Sequence, residues 1–255
     1  MSHLGTGMLL VLQFFSVFPV KKELPLEKND VTAMYGVLPV LGALFGSLIS
    51  GCVFVLSDYT DLSSLLMAFV VVVLSLVLTG GLHMDGMADV GDAYFSYQDR
   101  TKRLEIMGDP RIGAFGAMVL ILAIAGKVIV IAEAIPHLSL LAIAAVPILS
   151  RTGLLLLFSV TESAKKDGLA AFFQKRSNRK LLFLVSIGYL AAVLVLLGVG
   201  ASWGVSLALI GMLLASFKAY RQWCLRNFGG MTGDLFGAYV EGTELLLWTT
   251  LLFFI

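Results

Sequence analysis

The chain has 255 residues, of which 58% are hydrophobic and 14% charged, with a mean hydropathy of +0.93 and a formal net charge of +1. A soluble domain carries about 25% charged residues, so there is too little polar surface here to coat a soluble globule, and the near-neutral balance excludes a nucleic-acid partner held by bulk charge. Two cysteines, Cys52 in an apolar run and Cys224 beside a basic loop, form neither a disulfide framework nor a metal-ligand spacing.

The first apolar segment, Leu4 to Val20, is short and is closed by Pro19, Lys21 and Lys22. It has no basic flank before it and no small-residue cleavage site after it, so it predicts a retained interfacial or partly inserted helix and not a cleaved signal. A full span here is the alternative, and would move only the first residues across the membrane. Seven stretches then approach or exceed the roughly 20 residues that about 30 Å of hydrocarbon requires: 34–57, 62–82, 112–135, 138–160, 181–199, 203–221 and 233–255. The expected fold class is all-α: a polytopic membrane helix bundle of about seven transmembrane helices plus the N-terminal helix, in a single domain over 1–255.

Basic residues test that topology independently. Three Lys lie in the N-terminal segment, four Lys or Arg in 83–111, six in 161–180 and three in 218–232, while the turns at 58–61, 136–137 and near 200 have none. The remaining two, Lys127 and Arg151, fall inside spans. Positive-inside asymmetry puts the basic loops in the cytoplasm, the chain in the cell (inner) membrane and its C-terminus outside.

Chemistry concentrates on that one face. The second span runs into Thr79-Gly80-Gly81-Leu82-His83-Met84-Asp85-Gly86-Met87-Ala88-Asp89-Val90-Gly91-Asp92. If the helix continues, Asp85, Asp89 and Asp92 stand at i, i+4 and i+7 on one face. Three like charges repel, and a hard cation such as Mg²⁺ or Mn²⁺ is the natural compensation for an all-oxygen set; a solvated acidic loop is the bland alternative. His83 reads as a boundary residue or one that orients a ligand. Next come Lys102 and Arg103, then Asp109-Pro110-Arg111, in which Asp109 reads as the N-cap of the third span with Pro110 at its first position. Arg111, on the first turn of that helix, is placed for a phosphate, although an inside-loop positive charge needs no function.

A distant helix start, Gly229-Gly230-Met231-Thr232-Gly233-Asp234, offers Thr232 or Asp234 to its opening amides. Glu241 and Glu244 follow inside the last span, where carboxylates default to a functional or paired role. Arg151 is the candidate partner, and Lys127, nearer the outer side, is expected to snorkel. No P-loop, dinucleotide fingerprint, nucleophile elbow or His/Cys cluster is present. Membrane-edge carboxylates with nearby cations instead suggest metal-assisted phosphoryl or phosphodiester transfer.

Thr79 to Asp89 resembles the signature of the cobalamin synthase, or adenosylcobinamide-GDP ribazoletransferase, family, and so does Arg103-Leu104-Glu105-Ile106-Met107-Gly108-Asp109-Pro110-Arg111-Ile112-Gly113-Ala114-Phe115-Gly116. The likeness extends to Leu12–Val20, Leu149-Ser150-Arg151 and Met231–Ala238. Pro110 departs from it where Ser or a similar residue is expected, as does the 168–172 segment, where a second Gly is usual. The resemblance implies that a ribose hydroxyl of α-ribazole, or of its 5′-phosphate, attacks the cobinamide-linked phosphorus of adenosylcobinamide-GDP and that GMP leaves. Mg²⁺ would sit on Asp85, Asp89 and Asp92. Asp109 and Asp234 would be further ligands, and Arg111 with Lys102 or Arg103 would hold phosphate oxygens. Arg151, Thr232 and Asp234 are the further candidate substrate contacts, and Asp92, Asp109 and Arg111 the candidate catalytic groups. Partners are then small molecules and the bilayer, with self-association neither required nor excluded. The competing class is a transporter or channel, supported by Glu241, Glu244, Arg151 and Lys127.

Overall fold

The computed structural model describes residues 2–97 and 99–255. Helix α1 (His3–Phe15) is followed by α2 (Lys28–Gly36) and α3 (Leu38–Tyr59), which meet end to end at Val37. Then come α4 (Ser64–Thr79), α5 (Leu82–Ser96), α6 (Arg100–Ile106), α7 (Ala114–Ala134), α8 (Leu140–Val160), α9 (Leu169–Lys175), α10 (Arg179–Gly200), α11 (Trp203–Asn227) and α12 (Gly233–Leu251). There are no strands among the described residues, only an isolated bridge between Ser163 and Met231.

Among the described residues, five helical segments are long and apolar enough to cross a membrane, or six if α4 and α5 are taken as one bent span. Length and apolarity alone therefore do not reach the expected seven. The difference lies with α12, whose 19 residues include Asp234, Glu241 and Glu244. Helix α1 spans 13 residues, roughly 20 Å at 1.5 Å per residue, which is too short to span. It lies against α2, with the His3 imidazole 2.8 Å from Asp30.

Helix α8 forms the centre, buried from Leu149 through Ser159 and packed by α3, α10, α11 and α12. On its far side α12 also meets α5 and α7. Where these elements meet, Glu241 and Glu244 of α12 are buried with Lys127 of α7 and Arg151 of α8. Lys127 pairs with Glu241 and, at 2.9 Å, with Glu244, and Arg151 pairs with Glu244. The sequence offered Arg151 as partner to these carboxylates, and of the two it takes Glu244. Lys127 is a correction: it is 3% exposed and turned into the bundle, because two carboxylates within reach outcompete a route to the interface.

The second correction concerns the helix bearing the aspartates. It does not continue out of α4. Gly80 and Gly81 take positive φ of 64° and 76°, their amides close the C-terminus of α4 on Val77 and Leu76, and α5 leaves at 93° to α4. Only glycine adopts two successive left-handed conformations without strain.

Two cations against two carboxylates make the buried network neutral, and removing one member strands a charge at a cost of about 3–5 kcal/mol. Thermal unfolding in detergent should therefore rank wild type above Lys127→Met/Glu241→Gln, and that double variant above Lys127→Met alone. An unchanged Tm in Lys127→Met would mean the network does not support the fold.

Candidate active site

The spacing argument survives the break, since Asp85, Asp89 and Asp92 all lie on α5, but the three do not act as one group. Asp92 is buried and points at the start of α7, where its carboxylate accepts the Gly113 amide at 2.6 Å and the Gly116 amide at 2.8 Å. A methyl on Gly113 or Gly116 would overlap that carboxylate, which explains the Gly113-Ala114-Phe115-Gly116 motif. Asp92, and not Asp109, satisfies the opening of α7, and an anion at a helix N-terminus is stabilised there. Both Asp92 oxygens are thus engaged by amides of the 113–116 turn.

Asp109 precedes α7 by a loop. It accepts the Arg111 amide and the Arg111 guanidinium, at 3.1, 2.9 and 2.7 Å, and this exposed pairing holds its carboxyl down at about 2. Arg111 is 86% exposed and lies before α7, which corrects the expected place on its first turn. Arg103 is buried: it donates to the Tyr97 carbonyl at 2.6 Å and to the Asn227 side chain at 2.7 Å, and lies over the rings of Tyr94 and Phe228. It fastens α6 to the end of α11 and is not free for phosphate. Lys102 is exposed and paired with Glu105 at 2.8 Å. Arg151 lies in the buried network, away from any open surface.

Asp85 and Asp89 meet the start of α12. Thr232 caps that helix, its hydroxyl accepting from the Leu235 amide at 3.2 Å and lying 3.3 Å from an Asp234 oxygen. Asp234 is thus released from the capping role. A Cβ on Gly86 would stand 2.8 Å from the Asp234 Cα, so the missing side chain lets the first turn of α12 rest on α5 beside both aspartates. Burial first, then the like charges of Asp85, Asp234 and Asp92, push the Asp89 carboxyl up to about 6. Among the described residues no three Asp, Glu, His or Cys side chains are close enough to enclose an ion unaided. An ion that keeps its waters and takes substrate oxygens needs only one or two carboxylates, and Asp85 with Asp89 fits that need.

Two cavities lie on either side of α9, and the first has two of these carboxylates in its lining. One, of about 220 Å³, is walled by aromatic rings, among them Phe14, Phe15, Tyr35, Phe173 and Phe236, with His83, Asp85 and Asp234 in its lining. His83 is 4% exposed. The other, of about 440 Å³, is lined by Lys165, Lys166, Lys175 and Arg179 together with Glu162, Ser163, Ala171 and Gln174. A further cleft, of about 610 Å³, lies against Met87, Val90, Gly91 and Tyr94, the face of α5 opposite Asp85 and Asp89. It has no charged group in its lining to hold a phosphate. Sequence reading missed both the aromatic cavity and the basic one, although six basic residues in 161–180 were a visible signal for the latter. The transporter reading loses its support, because Glu241 and Glu244 are engaged by Lys127 and Arg151.

A family model described as cobalamin-5-phosphate synthase matches residues 7–252. A Geobacillus sp. (strain WCH70) protein named adenosylcobinamide-GDP ribazoletransferase is 36% identical over 95% of this chain and 94% of its own length. A protein of the same name from Geobacillus kaustophilus (strain HTA426) is 34% identical over 97% and 95%, and one from Clostridium tetani (strain Massachusetts / E88) 33% identical over 93% and 92%. No solved structure matches the chain.

Two measurements check the geometry. Asp92→Ala leaves two helix-start amides without their acceptor and should lower stability by about 2–3 kcal/mol, whereas Asp85→Ala, at an exposed position, should stay within about 0.5 kcal/mol. Without divalent ions, infrared difference spectra should show Asp89 titrating near pH 6, and lower in Asp234→Asn. The folded chain holds that proton more tightly than the unfolded one, so stability should fall as pH rises from about 4 to about 6. Asp89→Asn should flatten that fall.

Proposed function

We propose, since the chain belongs to the cobalamin-5-phosphate synthase family, that it is the membrane-embedded transferase which joins adenosylcobinamide-GDP to α-ribazole or its 5′-phosphate. A ribose hydroxyl oxygen bonds to the cobinamide-linked phosphorus, the phosphoanhydride bond breaks, and GMP leaves with the electron pair. The product is adenosylcobalamin or its 5′-phosphate. The observation that carries this reading is the meeting of the Asp85–Asp89 face of α5 with Asp234 beside an aromatic-walled cavity, with a basic cavity across α9 from it. A flat heterocyclic base suits the first, and phosphate esters suit the second.

Mg²⁺, held by Asp85 and Asp89, would neutralise the diphosphate and the charge developing on the leaving oxygen. Asp234, freed from capping by Thr232, accepts the proton of the attacking hydroxyl. Asp92 keeps α5 in place through α7, and so acts as a positioning residue. The aromatic walls exclude water, which would otherwise compete with the ribose hydroxyl for the phosphorus. Positive-inside asymmetry supports a cytoplasmic location for this end of the bundle, where nucleotide substrates are available.

Purified protein in nanodiscs should convert adenosylcobinamide-GDP and α-ribazole to the corrinoid product with one GMP released per turnover, and EDTA should stop it. Asp85→Ala, Asp89→Ala and Asp234→Asn should each lower kcat about a hundredfold or more, whereas Asp109→Asn, which alters only an exposed pair with Arg111, should lower it less than tenfold. Equal loss in Asp109→Asn and Asp234→Asn would extend the site to the 107–113 loop.

A further inference from the structure

The expected phosphate clamp of Lys102, Arg103 and Arg111 is not assembled. Arg103 is bound to backbone and Asn227, Arg111 to Asp109, and Lys102 to Glu105. Lys127 and Arg151 are neutralised inside the bundle. A substrate with a diphosphate still needs cations, and the basic cavity, which shares helix α9 with the cavity lined by Asp85 and Asp234, holds them. Of its four basic groups, Arg179 pairs with Glu162. Among the described residues, no ion pair reaches Lys165, Lys166 or Lys175. The 162–164 strip at the edge of the cavity is bonded to Met231, three residues before Asp234.

This cavity is a built feature and not a loose run of lysines. Gln174, 7% exposed, donates to the Thr161 carbonyl at 2.7 Å and accepts the Ser163 amide at 3.0 Å. The Ser163 hydroxyl donates to the Lys165 carbonyl at 2.9 Å, and Lys175 Nζ to the Lys166 carbonyl at 3.2 Å. The same strip is stitched to the residue before the α12 cap: the Ala164 amide donates to the Met231 carbonyl at 2.8 Å and the Met231 amide to the Glu162 carbonyl at 2.9 Å. Gly230 permits this approach, since a Cβ there would lie 2.6 Å from the Glu162 carbonyl oxygen. Helix α9 is the shared wall. Leu169, Ala170 and Phe173 line the aromatic cavity, and Ala171, Gln174 and Lys175 line the basic one.

We propose that this cavity is a phosphate-ester subsite in which Lys165, Lys166 and Lys175 hold a phosphoryl group of the substrate while the base of the same or the other substrate occupies the aromatic cavity across α9. The proposal rests on the transferase reading for the identity of the ester, which is either the 5′-phosphate of the acceptor nucleoside or the guanylyl phosphate of the donor. Lysines suit either, because an ammonium is a compact point charge that takes phosphate oxygens in many orientations.

The test compares wild type with Lys165→Gln/Lys166→Gln and with Lys165→Arg/Lys166→Arg, in nanodiscs. If the subsite takes the acceptor's phosphate, the Gln variant raises KM for α-ribazole 5′-phosphate about tenfold or more relative to α-ribazole. If it takes the donor's, KM for adenosylcobinamide-GDP rises by a similar factor with either acceptor. Either result supports the subsite, provided the Arg variant stays near wild type. KM values within twofold of wild type for all three substrates would overturn it. Calorimetric binding of inorganic pyrophosphate, without turnover, separates this proposal from the reading beneath it. Wild-type binding lost in the Gln variant and kept in the Arg variant supports the subsite even if no corrinoid product forms, and equal binding in all three overturns it.

Discussion

Two glycines in succession with positive φ decide where the chemistry is. Without Gly80 and Gly81, α4 would run straight on and carry its aspartates away from the bundle into water. The 93° turn lays α5 against α12 and α7 instead. Three like charges are then held where desolvation and mutual repulsion act together, the condition under which a carboxylate set gains most from a divalent ion or a bound phosphate complex. The arrangement persists because α5 is fastened at both ends: at one by the glycine turn, at the other by Asp92 on the amides of α7.

The cations sort by depth and by what surrounds them. Those within the bundle find carboxylates, those beside helix C-termini find carbonyls, and Lys165 and Lys166 of the 161–168 loop form no ion pair among the described residues. Arg100 and Arg103 illustrate the middle case, donating to the Arg226 and Asn227 carbonyls at the end of α11. Helix ends leave carbonyls unsatisfied, and a guanidinium with five donors is the side chain best able to answer them. What is left over for substrate is set by this competition, and not by the number of basic residues in a loop.

That competition also explains what could be read from the amino-acid order. The long apolar runs, and with them most span boundaries, follow from local composition: the stretches 112–135 and 138–160 became Ala114–Ala134 and Leu140–Val160. The helical repeat put Asp85 and Asp89 on one face wherever the helix pointed, and the expense of a buried charge identified Arg151 as partner to the carboxylates of the last span. By contrast, the role of Asp92 depends on amides 21 and 24 residues away, and that of Arg103 on a carbonyl 124 residues away. Nothing in a local window distinguishes an aspartate that faces a ligand from one that faces a helix end. The Asp109-Pro110 pair showed the same ambiguity, since its cap-like order serves an exposed loop here and not α7.

The buried network of Lys127, Arg151, Glu241 and Glu244 has a consequence for how the chain enters the bilayer. Lys127 precedes Glu241 by 114 residues, so at about 5–20 residues per second of synthesis its helix waits roughly 6–23 s before its counter-ion exists. A lysine at the centre of an isolated span is unfavourable by about 2.5–3.5 kcal/mol. During that interval α7 is best kept at the protein-lined exit of the insertion machinery, or with its ammonium drawn toward water. The last helix then does more than complete the bundle: its arrival neutralises two helices already made, and commits the whole set to the membrane together.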